Sequence, residues 1–215
     1  LIYYYFAISC LQAKKARKYK KRRKNMKNKH PELLKNETTA SGQWLTLNKI
    51  KYKDASGTER SWESVERLKC DGATVMVAKL KPSERLVLIR QYRPPANSFV
   101  IEFPAGLIDP GESPETTAKR ELLEETGYTG KVIKLFKPSF NSPGLTGESI
   151  QIALMEIDEN QKENLNVSPE LEESEDIETI LTPLKDLKNF LEKAQKNGDS
   201  IDSKLLAFAI SVELF

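Results

Sequence analysis

Glu112, Glu121, Glu124 and Glu125 crowd into one short stretch of the chain with a single arginine, Arg120, among them. Carboxylates three and four residues apart share one side of a helix, where like charges repel by a few tenths of a kcal/mol per pair. Arg120 can pair with Glu124 one turn on, but one guanidinium does not neutralise all of these acids. A hard divalent cation does, because Mg²⁺ accepts carboxylate oxygens and keeps its remaining positions for water and substrate phosphate. The chemistry on offer is metal-assisted attack on a phosphate, and the ordinary alternative is a solvated acidic helix face. His30 is the sole histidine and lies in a polar stretch, so acid and base work falls to carboxylates. Cys10 and Cys70 are too few for a disulfide framework, and a single histidine leaves no zinc spacing, so a reducing compartment is expected.

Something must hold these acids in place. Asp109-Pro110-Gly111 has the composition of a turn, and Ser113-Pro114 is a good cap and first residue of a helix. Thr116 stands where a full capping box would have Glu or Gln, while Gly127 suits a left-handed stop. A helix is therefore expected over roughly Pro114 to Thr126. Ala118 and Leu122 mark its buried stripe, and Glu125 borders that stripe and should lose solvent.

With the turn, cap, arginine and closing glycine in view, the segment from Gly106 to Tyr128 resembles the Nudix box, G-x5-E-x7-R-E-U-x-E-E-x-G-U with U aliphatic. Gly106, Glu112, Arg120, Glu121, Leu122, Glu124, Glu125 and Gly127 match at the required spacing, and Tyr128 departs only by being aromatic. The resemblance implies a hydrolase of a diphosphate linked to another moiety, working with Mg²⁺ or Mn²⁺. It implies metal ligation by Glu121, Glu125 and the backbone carbonyl of Ala105, with Glu124 either joining them or held by Arg120, and with Arg120 and Glu112 keeping the geometry.

The similarity continues outside the box. TERSWESVER, QYRPP, IEFPAGLID and SPGLTGE are similar to segments of the ADP-ribose and nucleoside-diphosphate-sugar pyrophosphatases, and Pro143 matches a proline that this subgroup carries beyond the box. The aromatic-rich tail motif of NADH-preferring relatives and the motif of the CoA pyrophosphatases are not visible. Trp44 and Trp62, the only tryptophans, suit the two faces of an adenine, each stack being worth about 1–3 kcal/mol. The plainer reading makes both of them core. In relatives one tryptophan crosses from the partner subunit, which implies a homodimer exchanging the hairpin Gln43 to Lys69. Glu63 and Arg67 resemble adenine- and phosphate-side contacts, and Glu102 and Leu107 match pocket positions. Ser142 stands where relatives carry Asp against the terminal ribose. Arg93, stiffened by Pro94 and Pro95, is the candidate diphosphate clamp, since a guanidinium makes two parallel bonds to phosphate. For the general base the acidic run Glu170, Glu172, Glu173, Glu175 and Asp176 offers several candidates. Glu175 is chosen by alignment with relatives, and Glu173 competes.

The surrounding pattern is dense in strands. Trp44 to Ile50 and Ser61 to Leu68 read as a hairpin across Asp54-Ala55-Ser56-Gly57. Gly72 to Leu80 and Arg85 to Arg93 read as a second, apolar enough to be buried on both faces. Phe99 to Phe103, Lys131 to Lys137, Ser149 to Glu156 and Asp176 to Leu181 follow as strands, with helices starting at Pro183 and Ser200. The expected class is α/β, a Nudix α/β/α sandwich with a mixed sheet, preceded by an antiparallel strand subdomain used in dimerisation. The expected boundaries are a basic, disordered extension over 1–42, the β subdomain over 43–70 and the hydrolase domain over 71–215.

The net charge of +3 averages two unlike pieces. Lys14 to Lys29 holds eleven Lys or Arg and no acid, which leaves 23 basic against 31 acidic residues, a net of −8, from His30 onward. An acidic folded part is not a nucleic-acid-binding module. LIYYYFAISCL is about half the ~20 residues of a membrane span and precedes its basic run, unlike a secretory signal. Three readings of residues 1–25 stand: an extension ahead of Met26 that is not native, a surface anchor with a polybasic flank, or nuclear targeting by KKRRK. Only the anchor would bring a membrane partner. The expected location is cytoplasmic, with nucleus or mitochondrion as alternatives. The expected reaction splits ADP-ribose, a small-molecule nucleotide sugar, into AMP and ribose 5-phosphate. Its rivals are a broader or oxidised-nucleotide hydrolase acting on 8-oxo-dGDP and a non-catalytic nucleotide-binding module, which an intact box disfavours.

Overall fold

The Ser113-Pro114 signal opens helix α1 (Pro114–Thr126), the element on which the acids sit. The Ser113 hydroxyl accepts the Thr116 amide at 3.1 Å, and Gly127 closes the helix in the left-handed region at φ 74°. The computed structural model of the chain describes residues 30–171, 173 and 175–214. The readings for residues 1–25 and for Glu172 lie outside them.

The described chain divides into two compact units, one of residues up to Leu68 with Ser142–Gly147, the other of Lys69–Asn141 with Glu148 onward. In the first unit, β1 (Glu32–Ser41), β2 (Leu45–Lys53) and β3 (Glu59–Arg67) make an antiparallel sheet in that order. The hairpin between β2 and β3 turns where Asp54-Ala55-Ser56-Gly57 predicts. The Asp54 carboxylate accepts the amides of Ser56 at 2.8 Å and Thr58 at 3.1 Å. Strand β1 falls inside the segment expected to be a disordered extension. Its nearly all-exposed side chains give no alternating apolar pattern to read, and its order comes from pairing with β2, Asn36 opposite Ile50 and Thr38 opposite Asn48. Trp44 lies in the bend before β2 rather than in the strand. Ser142–Gly147 docks on the outer edge of β3, where Val65 donates to the Leu145 carbonyl at 2.9 Å.

The second unit is built on a mixed sheet. Its strands are β4 (Ala73–Lys81), β5 (Arg85–Arg93), β6 (Ser98–Glu102), β7 (Ala105–Leu107), β8 (Lys131–Leu135), β9 (Ser139–Phe140), β10 (Ser149–Asp158), β11 (Ile177–Pro183) and β12 (Ser200–Ile201). The main order is β12-β6-β5-β4-β10-β8, with β11 on β5, β7 on β4 and β9 on β10. Strand β10 runs parallel to β4 while β5 runs antiparallel to it. Alternation in the central strands sends side chains to both faces. Val75, Leu86, Leu88 and Ile101 pack against α2 (Leu187–Lys196) and α3 (Ser203–Leu214) through Leu187, Leu191 and Leu205. Met76, Ala78, Leu80 and Val87 pack on the other face against Ala118 and Leu122 of α1. This is the expected sandwich. Ala118 and Leu122 are fully buried, and roughly 2 kcal/mol from the leucine alone outweighs the few tenths per like-charge pair that the acids cost.

Two helix starts differ from expectation. Pro183 ends β11 at ψ 136°, opposite Arg85, and the α-helix begins only at Leu187 after a short 3₁₀ turn. Ser200 and Ile201 pair with Val100 and Ile101 before α3 starts at Ser203. Among the described residues no helix is long and apolar enough to cross a membrane.

Candidate active site

Strand β7 brings Ala105 and Gly106 beneath α1. A Cβ on Gly106 would lie 1.8 Å from the Glu121 side-chain carboxyl carbon, so the glycine is what lets Glu121 lie against the backbone. One turn on, Glu125 is 3% exposed, and its carboxylate accepts the Ala105 amide at 3.0 Å. Burial pushes the Glu125 carboxyl up to about 9, helped by the charge of Glu121 and opposed by the Ala105 amide. Burial also raises Glu121, against the pull of Arg120.

Arg120 is the hub of the remaining acids. Its Nε and Nη2 bond Glu112 at 3.1 and 3.0 Å, while Nη1 is shared between Glu121 at 2.8 Å and Glu124 at 2.9 Å. Nη2 also reaches the Leu107 carbonyl at 3.3 Å. The Arg120 guanidinium holds the Glu112 carboxyl down to about 2. Thr117, buried, adds a hydroxyl bond to Glu112 at 2.7 Å. Sequence reasoning passed over Thr117, although its place five residues past Glu112, on the first turn of the helix, marks a side chain able to reach back.

Glu112 is therefore ionised across the usual acid range when folded. It contributes stability above its ordinary value near 4.5, and that contribution is lost as pH falls toward about 2. Arg120→Met removes the cause. It is expected to cost on the order of 2–3 kcal/mol at neutral pH, below the ~3–5 kcal/mol of a fully buried pair because Arg120 is 32% exposed. The acid-unfolding midpoint, followed by circular dichroism, should also move upward toward the ordinary carboxylate range. An unchanged midpoint would show that Arg120 does not hold Glu112.

The acidic loop ahead of β11 approaches the same place. The Glu170 amide donates to the Glu124 carbonyl at 2.8 Å, and Glu175, half-buried, is close enough that its charge raises both Glu121 and Glu125. Glu173 is exposed. Arg93, at the end of β5, donates from Nε to Glu102 at 2.8 Å, and the buried Glu102 in turn raises Glu125. The expected clamp thus spends one edge of its guanidinium on a carboxylate.

The residues of the first unit are arranged less simply. Trp44 is 62% and Trp62 50% exposed, so neither is core. Trp62 pairs with Ile50, and its indole N–H donates to the Gly144 carbonyl at 3.0 Å. Successive strand residues face opposite ways, so Trp62 lies on one face of the sheet and Glu63 and Arg67 on the other. The structure does not bring these three side chains onto one face. Ser142 is exposed, and its carbonyl accepts the amides of Leu145 at 2.9 Å and Thr146 at 3.0 Å.

Glu121 and Glu125 fit a divalent cation. Both are desolvated carboxylates side by side, Glu125 has among the described residues one amide for compensation, and oxygen donors of this kind suit a hard ion. Among the described residues no group of three or more His, Cys, Asp or Glu is placed to hold a metal ion, and an Mg²⁺-like ion, which keeps waters and takes substrate phosphate, is held by one or two carboxylates.

Known proteins are similar to this chain. A NUDIX domain model matches residues 71–204. An uncharacterized Nudix hydrolase of Schizosaccharomyces pombe is 38% identical over 176 residues, covering 79% of this chain and 86% of its own. The ADP-ribose pyrophosphatase of Saccharomyces cerevisiae is 37% identical over 175 residues, with 78% and 76% covered. The ADP-sugar pyrophosphatase of Mus musculus is 31% identical over 185 residues, with 82% and 85% covered. A solved structure described as an ADP compounds hydrolase superposes with a TM-score of 0.56 at 25% identity, covering 76% of this chain and 84% of that one.

Proposed function

The chain belongs to the Nudix hydrolase family, and from that membership we propose that it hydrolyses the diphosphate of ADP-ribose and related ADP-sugars, releasing AMP and, from ADP-ribose, ribose 5-phosphate. The observation that carries the reading is Glu125, a carboxylate buried beside Glu121 with one amide for a partner. The substrate class follows the relatives named for ADP-ribose and ADP-sugars.

A divalent cation, Mg²⁺ or Mn²⁺, held by Glu121, Glu125 and the Ala105 carbonyl, would neutralise phosphate oxygens and acidify water when bound. The chain's own residues do the rest. Arg120 keeps Glu112, Glu121 and Glu124 in place. The terminal nitrogens of Arg93 bind the diphosphate. Glu175 accepts the proton of the attacking water as the new P–O bond forms and the bond to the bridging oxygen breaks, a contribution of about 10²- to 10⁴-fold. Trp44 and Trp62 stack on adenine, with the enzyme acting as a homodimer that supplies them from two chains. Product analysis with ADP-ribose and Mg²⁺, beside ADP-glucose and 8-oxo-dGDP, tests the reading. AMP and ribose 5-phosphate in equal amounts, with ADP-ribose turned over fastest, are expected. Binding of ADP-ribose without AMP formation would sink the hydrolase assignment, and faster turnover of 8-oxo-dGDP would sink the substrate assignment.

A further inference from the structure

Gly127 meets more than the needs of a helix stop. A Cβ built on it would lie 2.7 Å from the Ser168 amide nitrogen, 2.8 Å from its carbonyl carbon and 2.9 Å from its carbonyl oxygen, all backbone atoms that a rotamer change cannot move. Three residues before Gly127, the Glu124 carbonyl accepts the Glu170 amide at 2.8 Å. One orphan carbonyl at the end of α1 is thus satisfied by the acidic loop itself. Val167, just ahead of the contact, packs on the core beneath α1. On the far side of the loop, Ile177 enters the sheet opposite Gln91, and the Thr179 hydroxyl reaches the Glu125 carbonyl at 3.4 Å. Ser168 and Glu170 therefore lie against the end of α1, and the chain re-enters the sheet beside Glu125, with Glu175 two residues ahead of β11.

We infer that Gly127 is a positioning residue whose missing side chain seats Ser168–Glu170 on the C-terminal end of α1, fixing the start of the loop that carries Glu175. The inference rests on Glu175 being the base of the proposed reaction. Position 127 is then constrained twice, by its positive φ and by the Ser168 backbone. The two constraints separate by substitution. Asn tolerates the left-handed region but carries a Cβ, so Gly127→Asn relieves the first and violates the second. Gly111, at φ 84° with nothing within 4 Å of a Cβ, is the control, and Gly111→Asn should behave as the wild type.

The test reads amide hydrogen exchange at Glu170 together with kcat and KM for ADP-ribose. Gly127→Asn is expected to lose protection at Glu170 and to lower kcat by about 10-fold or more, bounded by the ~10²- to 10⁴-fold that a base supplies, with KM within about twofold. Glu170→Pro deletes the same hydrogen bond from the loop side, has no amide of its own to exchange, and should repeat the fall in kcat with KM held, so the kinetic result does not depend on whether Gly127→Asn folds. Retained protection in Gly127→Asn, or lost protection there with kcat unchanged in both variants, overturns the inference. Glu175→Gln is measured alongside. If it keeps full kcat the base assignment falls, while the exchange data still decide whether Gly127 seats the loop.

Discussion

Glu125→Gln is expected to abolish most hydrolysis while making the metal-free protein more stable, a pair of opposite effects that few other residues should give. The amide keeps the shape of the side chain and removes its charge. Loss of a ligand should exceed the roughly 10- to 100-fold that loss of an outer-shell partner costs, so kcat/KM should fall by more than about 10²-fold. Stability moves the other way because the carboxyl, raised to about 9 by burial, is out of place without a cation. Below about pH 4.5 both folded and unfolded forms are protonated and nothing is lost. As pH rises the unfolded carboxyl ionises while the buried one stays neutral, so stability declines until about pH 9. At pH 7 the deficit is on the order of 3 kcal/mol. Glu125→Gln has no such slope. Metal-free thermal melts at pH 5, 7 and 8.5 should show the variant gaining on the wild type as pH rises. Saturating Mg²⁺ should then raise the wild-type Tm and leave the variant's nearly unchanged. A variant that stays active would remove Glu125 from the metal site, and one that melts lower than wild type at pH 8.5 without metal would overturn the raised carboxyl.

The helix that carries this chemistry was readable because its signals are local. Ser113, Pro114 and Gly127 each act on neighbouring backbone, and the period of Ala118 and Leu122 places the buried stripe without reference to the rest of the chain. The central strands were readable for a related reason, since Val75-Met76-Val77 and Leu86-Val87-Leu88 are apolar at consecutive positions and only a sheet covered on both faces accepts that. What could not be read depends on partners distant in sequence. Strand β1 is polar and gains its order from β2, β7 is three residues held by β4, and β12 is two residues held by β6. The same divide runs through the site. Gly106 was visible as part of a pattern, but its reason, the Glu121 carboxyl lying where a Cβ would be, needs the fold. Arg120 was expected to meet Glu124 one turn away, and its bond to Glu121, a neighbour in sequence with its carboxylate turned toward β7, was not. Arg93 read as a diphosphate clamp with a surface salt bridge as the plainer alternative, and nothing local reveals its partner Glu102 on the adjacent strand, where Ile89 and not Arg93 lies directly opposite it.

Mixing two tryptophan variants that each bind ADP-ribose weakly is expected to restore sites of wild-type KM, and the register of the hairpin is why. Trp62 pairs with Ile50, and the Leu68 amide bonds the Trp44 carbonyl, so the two tryptophans sit six strand positions apart. At about 3.4 Å per residue that is roughly 20 Å, whereas rings enclosing one adenine stand roughly 7 Å apart. The Trp62 indole is also tied to Gly144 through its N–H and is not free to lean along the strand. One hairpin therefore does not present the pair as a sandwich, but two hairpins about a two-fold axis can, each giving Trp44 to one site and Trp62 to the other. Trp44→Ala and Trp62→Ala should each raise KM for ADP-ribose by about 5- to 150-fold, the equivalent of about 1–3 kcal/mol of stacking. In a mixed dimer both substitutions fall in the same site and the other site is whole. For the proposed homodimer, co-expression in equal amounts would make about half of the dimers mixed, so about a quarter of all sites should regain wild-type KM. A mixture no better than either variant alone would exclude composite sites, and a wild-type KM in Trp44→Ala would remove that residue from the adenine altogether.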